Sequence, residues 1–143
     1  MKSINIGILL CLFTVAAASF FVFSKNTTIT AAGTQVGEPI EIVLVPDQIS
    51  EIGLLGKNIF DLKCQSCHGI NAAGRFEIGP PLVHKIYEPS HHSDQSFYRA
   101  VALGVQSHHW PFGNMAAVEG LTKGDVKAII SYVRELQKEN GIL

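Results

Sequence analysis

Two cysteines and a histidine come together in one short stretch of the sequence, at Cys64, Cys67 and His68. Two thiols that are three positions apart lie on one side of a helical turn, where each can add across one vinyl group of the same porphyrin as a thioether. The next residue, His68, is then held against the iron and can supply a ring nitrogen as the proximal ligand. The order C-x-x-C-H is the attachment pattern of a c-type haem, so the sequence predicts one covalent haem c at this stretch.

Other uses of a cysteine pair agree less well with this sequence. A zinc site normally needs four protein ligands, and no second cysteine pair follows Cys67. A thioredoxin-like dithiol should open a helix after a strand, whereas here a helical pattern runs into the motif. A lone disulfide is compatible with the spacing, but the remaining cysteine, Cys11, lies in an apolar N-terminal segment, so no disulfide framework is left to build.

A second candidate iron ligand is Met115, in a region that reads as a long loop over residues 105–120. The other methionine of the chain is the initiator, and a methionine in such a loop has no obvious packing role. A thioether opposite the histidine is the soft ligand that raises the reduction potential of a haem iron. His108 and His109 in the same loop are competing distal ligands, and Met115 could instead pack on the haem edge.

Histidine is frequent outside the motif, at His84, His91, His92, His108 and His109. Such a set could form a second metal site. However, no two of these residues have the i, i+4 spacing on a predicted helix that commonly holds a metal ion. The sequence therefore favours histidines that are solvated in loops.

A helical pattern leads into the cysteine motif. Asp47 after Pro46 is the predicted N-cap of this first helix. Its predicted apolar face consists of Ile49, Ile52, Leu55, Ile59 and Phe60. Gly53 and Gly56 each lower helix propensity by about 1 kcal/mol, which indicates that another backbone or ring comes close to them.

Two more helices are predicted downstream. Asp94 is the predicted N-cap of a middle helix that ends at Gly104. Thr122 and Asp125 are near to a capping box at the start of the last helix, which stops at Gly141. That helix has an apolar stripe at Val126, Ile129, Ile130, Val133 and Leu136. Its predicted solvated face consists of Arg134, Lys138 and Glu139.

The stretch from Gly56 to Gly69 resembles the N-terminal helix of the class I cytochrome c family, in which a glycine and an aromatic four residues later precede the haem motif. The resemblance covers about residues 47–137, nearly all of the chain after its N-terminal segment. It implies an all-α fold, a small helical domain around one covalent haem. It also implies that Gly56 and Phe60 pack across the last helix at Tyr132.

The resemblance also implies roles for four further residues. The carbonyl of Pro80 would accept the other ring N–H of His68, and Leu82 would pack on the macrocycle. Met115 would be the distal ligand, although the family often has proline after it, where this chain has Ala116. Trp110 would donate its indole N–H to a haem propionate, or else fill space over the haem.

The function implied is one-electron transfer without enzymatic activity, because axial ligands on both faces leave no open position for a small-molecule substrate. Its partners would be redox proteins, and the formal net charge of -1 argues against nucleic-acid binding. Two alternatives stay open: a haem c subunit of a larger membrane oxidoreductase, and a haem-based gas or redox sensor.

Residues 4–23 are almost wholly apolar, between Lys2 and Lys25, and about long enough to cross a bilayer as a helix. We therefore divide the chain into a membrane anchor or signal peptide (1–25), a linker or extended arm (26–46) and a cytochrome c domain (47–143). An uncleaved anchor predicts a bacterial inner-membrane protein with its haem domain on the periplasmic side. Cleavage would instead leave a soluble periplasmic protein.

Overall fold

The computed structural model describes residues 35–143, which belong to one compact unit. Its α-helices are Glu51–Lys63 (α1), Gln65–His68 (α2), Asp94–Leu103 (α3) and Lys123–Glu139 (α4), with short 3-10 segments at Ile70–Ala72 and Lys85–Tyr87. No strand occurs in this part of the chain, where isolated bridges pair Arg75 with Gly79 and Val105 with Met115. The predicted all-α fold is thus confirmed for these residues.

The N-terminal hydrophobic helix expected at residues 4–23 lies outside the described residues. Within residues 35–143, no helix combines the length and the apolar character that crossing a membrane requires.

The fold centres on the crossing of α1 and α4. At Gly56 the two backbones are so close that a Cβ there would lie 1.9 Å from the carbonyl oxygen of Ala128. One turn later Phe60 and Tyr132 meet edge to face, with ring centroids 5.6 Å apart, and both side chains are fully buried. The expected contact of Gly56 and Phe60 with the last helix is therefore present. It anchors a core formed by Phe60, Ala72, Val83, Ile129, Tyr132, Val133 and Leu136.

Helix α1 begins three residues later than predicted, because Ser50 rather than Asp47 is its N-cap. The Ser50 hydroxyl accepts a hydrogen bond from the backbone N–H of Gly53 at 3.1 Å. Glu135 of α4 in turn accepts hydrogen bonds from the backbone N–H and the hydroxyl of Ser50. The hydrogen bonds to Glu135 therefore favour Ser50 as the N-cap of α1.

The predicted apolar face of α1 is partly wrong. Leu55 is 54% exposed and Ile52 is 39% exposed, whereas the buried positions of the helix are Gly53, Gly56 and Phe60. The approach of α4 explains the difference, since the face that α4 covers has no room for larger side chains at the two glycines.

Helix α3 has Ser93 rather than Asp94 at its N-cap. Asp94 is the first helical residue and pairs with Arg134 of α4, with 3.0 Å between Oδ1 and Nε. As predicted, the helix ends at Gly104. None of its residues is fully buried, because its apolar side lines a cavity, although Phe97 also packs against the core.

Helix α4 agrees closely with its prediction. Thr122 and Asp125 form a complete capping box, and the predicted apolar stripe is buried. Arg134 is the exception to the predicted solvated face. Its guanidinium donates hydrogen bonds to the carbonyls of Tyr87 and His92, and lies 5.0 Å from the Phe97 ring centroid.

Residues 37–46 form neither helix nor strand and lie against the domain. Ile40 and Glu41 both donate their backbone N–H to the carbonyl of Ala73, at 3.2 and 2.9 Å. Asn140 at the end of α4 donates to the carbonyl of Leu44 and accepts from its N–H. These contacts favour the extended arm over a free tether for this part of the linker.

Candidate functional site

A cavity of about 450 Å³ lies beside the cysteine motif. Its walls come from α1, α2, α3 and α4 and from the loops around Pro80 and residues 105–115. Six of the seven predicted site residues line it, namely Cys64, His68, Pro80, Leu82, Trp110 and Met115. The seventh, Cys67, is an exposed free cysteine and does not contribute to the wall. The fold thus brings residues that are far apart in sequence to one cavity.

His68 is the buried polar group of this cavity, with 9% of its surface exposed. Its Nδ1 lies 2.9 Å from the carbonyl oxygen of Pro80. Because a backbone carbonyl can only accept, Nδ1 carries the proton and Nε2 keeps its lone pair. Burial lowers the pKa of His68, against a smaller opposite effect of the Pro80 hydrogen bond. The imidazole is therefore neutral near pH 7, which is the form that binds a metal.

The loop that carries Pro80 is fixed on both sides. A Cβ on Gly79 would lie 2.5 Å from the carbonyl oxygen of Cys67, so the loop can approach α2 only with glycine there. The backbone N–H of Leu82 donates to the carbonyl of Ala72 at 2.8 Å. Leu82 itself is half-buried, packs against the core and lines the cavity.

The two thiols of the motif differ in their surroundings. Cys64 is half-buried between α1 and α2, whereas Cys67 is exposed. Burial, and then the neighbouring Cys67, raises the pKa of the Cys64 thiol to about 11. Since the thiolate is the nucleophilic form, the Cys64 thiol is weakly reactive at neutral pH.

Met115 is held by its backbone to the end of α3. Its N–H donates to the carbonyl of Val105 and its carbonyl accepts from the N–H of Val105, both at 2.9 Å. Gly104, at φ +75°, lies so close that a Cβ would be 2.5 Å from the Met115 carbonyl oxygen. Three residues later Val118 donates to the carbonyl of Val101. These contacts thus fix the backbone position of Met115, whose side chain is half-buried.

Trp110 lies against the ring of Phe112, with centroids 5.6 Å apart, and against His84 at 5.3 Å. Its indole Nε1 is buried and has no acceptor in hydrogen-bonding geometry among the described residues. The indole N–H also influences the Tyr87 hydroxyl. Burial raises the pKa of Tyr87 to about 12, and the interaction with the Trp110 side chain partly opposes this rise. A buried donor without an acceptor at a cavity wall suits a polar group of a ligand.

Sequence reasoning missed the role of Gln137. Its side chain is fully buried, and Nε2 donates to the carbonyls of Leu82 and Tyr87 at 2.7 and 3.0 Å. Its Oε1 accepts from Arg134 at 2.6 Å. These two side chains of α4 hold the segment that forms one wall of the cavity. A polar residue beside the apolar stripe was the available signal, but its partners are set by the tertiary structure.

The non-motif histidines lie outside the α-helices, and His91, His108 and His109 are exposed, as the sequence favoured, but four of the five also lie close together. His91, His92, His108 and His109 form a cluster of rings, with centroids 4.3 Å apart for His108 and His109 and 4.7 Å apart for His91 and His92. His84 lies apart from the cluster, beside Trp110. Burial, and then the neighbouring His91, His108 and Arg134, lowers the pKa of His92, while its hydrogen bond to Ile86 opposes the shift.

The residues at this cavity fit a c-type haem. The walls combine apolar side chains with a buried imidazole that has a free ring nitrogen, a thioether side chain, an adjacent thiol pair and an unpaired buried N–H. A family model described as Cytochrome c matches residues 54–137, from α1 almost to the end of α4. Neither the curated proteins nor the solved structures contain a match to the chain.

Proposed function

This chain belongs to the cytochrome c family, which binds haem c covalently, and on that premise we propose that it is a one-electron carrier with His68 and Met115 as axial ligands of a single haem. A cytochrome c domain of this kind indicates haem-based electron transfer rather than catalysis. The partners of the carrier would be redox proteins that dock transiently, through small interfaces.

One observation carries the axial-ligand assignment. His68, whose proton is fixed on Nδ1 by Pro80, lines the same cavity as Met115. The free Nε2 of His68 and the thioether of Met115 would be the two protein ligands of the haem iron. Thioether bonds from Cys64 and Cys67 would fix that group to the turn that presents His68.

When bound, haem supplies an iron that changes by one charge between its ferric and ferrous states. The chain sets the conditions for that change. His68 keeps one tautomer, Leu82 and Phe97 contribute apolar side chains to the wall, and Trp110 offers an N–H to a carboxylate. A soft sulfur ligand at Met115 would raise the reduction potential relative to a second imidazole.

The attachment of the Met115 loop supports a carrier over a gas sensor. A sensor requires a distal ligand that a diatomic molecule displaces easily. Here backbone hydrogen bonds hold Met115 to Val105 and Val118 to Val101. This pairing compensates for Ala116, which stands where the family often has a rigid proline.

We also propose that residues 4–23 anchor the chain in a bacterial inner membrane, with the haem domain on the periplasmic side. The apolar run and its flanking Lys2 and Lys25 support this proposal. Retention of the intact mass in alkaline-washed membranes is expected. Recovery of a shortened chain in the soluble periplasmic fraction would show cleavage instead.

Met115→Leu tests the axial ligation, because leucine keeps the volume and removes the sulfur. The ferric far-red charge-transfer band typical of sulfur ligation should disappear in the holoprotein, and carbon monoxide should bind the ferrous form. His108→Asn and His109→Asn are the matched controls from the same loop and should keep the band. If Met115→Leu keeps the wild-type spectrum while a histidine variant loses it, the distal ligand is a histidine.

A further inference from the structure

We propose that His91, His92 and His109 form a second metal site, which binds one divalent first-row transition-metal ion beside the mouth of the haem cavity. Each of the three offers one ring nitrogen, and these nitrogens all lie within 4.8 Å of one another. His92 and His109 also line the cavity, whereas His91 does not. The site therefore adjoins the haem pocket without using His68 or Met115.

Hydrogen bonds prepare the cluster for a metal ion. Nδ1 of His92 lies 2.7 Å from the carbonyl oxygen of Ile86. Because the carbonyl can only accept, Nδ1 carries the proton and Nε2 keeps its lone pair. The neighbouring His108 is fixed in the same way, with Nδ1 2.8 Å from the carbonyl oxygen of Gln106. Histidines that ligate metals commonly donate their other ring N–H in this manner, which sets both tautomer and ring orientation.

The ligand set identifies the class of ion. Three imidazoles without a carboxylate suit zinc, copper or nickel and disfavour calcium and magnesium, which prefer oxygen ligands. The order of affinities among divalent first-row ions places Cu²⁺ above Zn²⁺ for a site of given ligands. Arg134, which donates to the His92 carbonyl at 2.5 Å, is a nearby positive charge, and it is paired with Asp94.

Little rearrangement is needed to close the site. Nitrogen ligands at about 2.0–2.1 Å from a tetrahedral ion are roughly 3.4 Å apart, and the three nitrogens of the cluster already lie within 4.8 Å of one another. His91 and His109 are exposed, so rotation of these two rings can bring their nitrogens toward His92. A fourth position is left for water or for His108, whose ring centroid lies 4.3 Å from that of His109.

An ion at this site would join two separate segments. His91 and His92 lie between the 3-10 segment Lys85–Tyr87 and α3, whereas His109 is in the loop that leads to Met115. Binding would therefore restrain the Met115 loop from outside the cavity. The site stands on the histidine geometry alone and does not depend on the distal ligand assignment.

The test uses the haem-loaded full chain, purified without a polyhistidine tag and treated with a chelator. Isothermal titration with Cu²⁺ and with Zn²⁺ and elemental analysis against haem iron should give about one added ion per iron, with Cu²⁺ bound more tightly. The electron paramagnetic resonance spectrum of the Cu²⁺ form should show nitrogen ligands. His91→Asn and His109→Asn should each weaken binding by at least about tenfold.

His84→Asn is the matched control, because His84 is outside the cluster and should leave the affinity unchanged. Equal loss of binding in His84→Asn would overturn the site, as would a wild type that takes up no more metal than the His91→Asn/His109→Asn double variant. This experiment measures the added metal, whereas the Met115→Leu experiment measures the haem spectrum. The metal site can therefore be disproved without affecting the proposed axial ligation, and the reverse also holds.

Discussion

Ser50 donates two hydrogen bonds to Glu135, one from its backbone N–H at 2.9 Å and one from its hydroxyl at 2.6 Å. Ser50 is the N-cap of α1 and Glu135 lies in the C-terminal half of α4, so a single carboxylate joins the start of one helix to the side of the other. Ser131 donates a third hydrogen bond to the same carboxylate. The helix crossing at Gly56 is thus fixed by polar contacts as well as by packing.

Glu135→Gln should lower the free energy of unfolding by about 1 kcal/mol at pH 7, because the hydrogen bonds to the charged carboxylate are weakened. The loss is no larger because the carboxylate is partly exposed to water. Burial alone would raise the pKa of Glu135, but the hydrogen bonds from Ser50 and Ser131 hold it below its ordinary value. A lowered native pKa adds stability above the unfolded pKa of about 4.3, and this is lost as pH falls through the native pKa.

The difference between wild type and Glu135→Gln should therefore be constant near neutral pH and shrink in acid. Denaturant unfolding followed by circular dichroism at pH 7 and at pH 3.5 measures it. Glu139→Gln, an exposed change on the same helix, should have little effect at either pH. A difference that grows in acid would contradict the assignment.

Gly56→Ala should destabilise the domain by about 3 kcal/mol, because the added methyl would lie 1.9 Å from the Ala128 carbonyl oxygen and must push the two helices apart. Gly124→Ala is the control in α4, where the nearest atom to a new Cβ is Thr122 Oγ1 at 3.5 Å. There we expect no loss of stability, since alanine favours the helix. Similar losses in both variants, measured by denaturant unfolding, would contradict the packing argument.

Gly104→Ala should disturb the attachment of the Met115 loop. The new Cβ would lie 2.5 Å from the Met115 carbonyl oxygen, at φ +75°. We expect a lower reduction potential and a weaker far-red band in the holoprotein. Gly113→Ala has comparable backbone strain, at φ +88°, but no atom within 4 Å of the added Cβ. Its spectrum should stay that of the wild type, and equal changes in both variants would assign the effect to backbone strain.

Gln137→Met removes the amide while keeping a similar volume, and should lower the free energy of unfolding by about 2 kcal/mol. The carbonyls of Leu82 and Tyr87 would lose a buried donor, and Arg134 an acceptor. Differential scanning calorimetry of the holoprotein measures the change. Lys138→Met introduces the same side chain at an exposed neighbour and should be nearly neutral. An equally stable Gln137→Met would show that water replaces the lost hydrogen bonds.

Sequence reasoning succeeded where the signal is local. The Thr122 and Asp125 capping box and the apolar stripe of α4 depend on residues within a few turns of one another, and both are present. The predicted site residues that line the cavity were identified from the cysteine motif and from the family resemblance. Their roles as ligands remain predictions.

Sequence reasoning failed where a distant residue decides the outcome. Ser50 replaces Asp47 as a cap because Glu135, 85 residues further along the chain, accepts its hydrogen bonds. Arg134 was predicted to be solvated, but its guanidinium instead donates hydrogen bonds to the carbonyls of Tyr87 and His92. The histidine cluster likewise joins two loops whose approach no spacing along the chain reveals.

The hydrogen bond from His68 to Pro80 has a consequence for the pH dependence of electron transfer. A carboxylate in the place of the Pro80 carbonyl could take up a proton when the iron gains an electron, but a backbone carbonyl has no protonated state near neutral pH. The Pro80 carbonyl therefore offers His68 no proton-accepting partner. If His68 binds the haem iron, this hydrogen bond would not couple electron uptake to proton uptake.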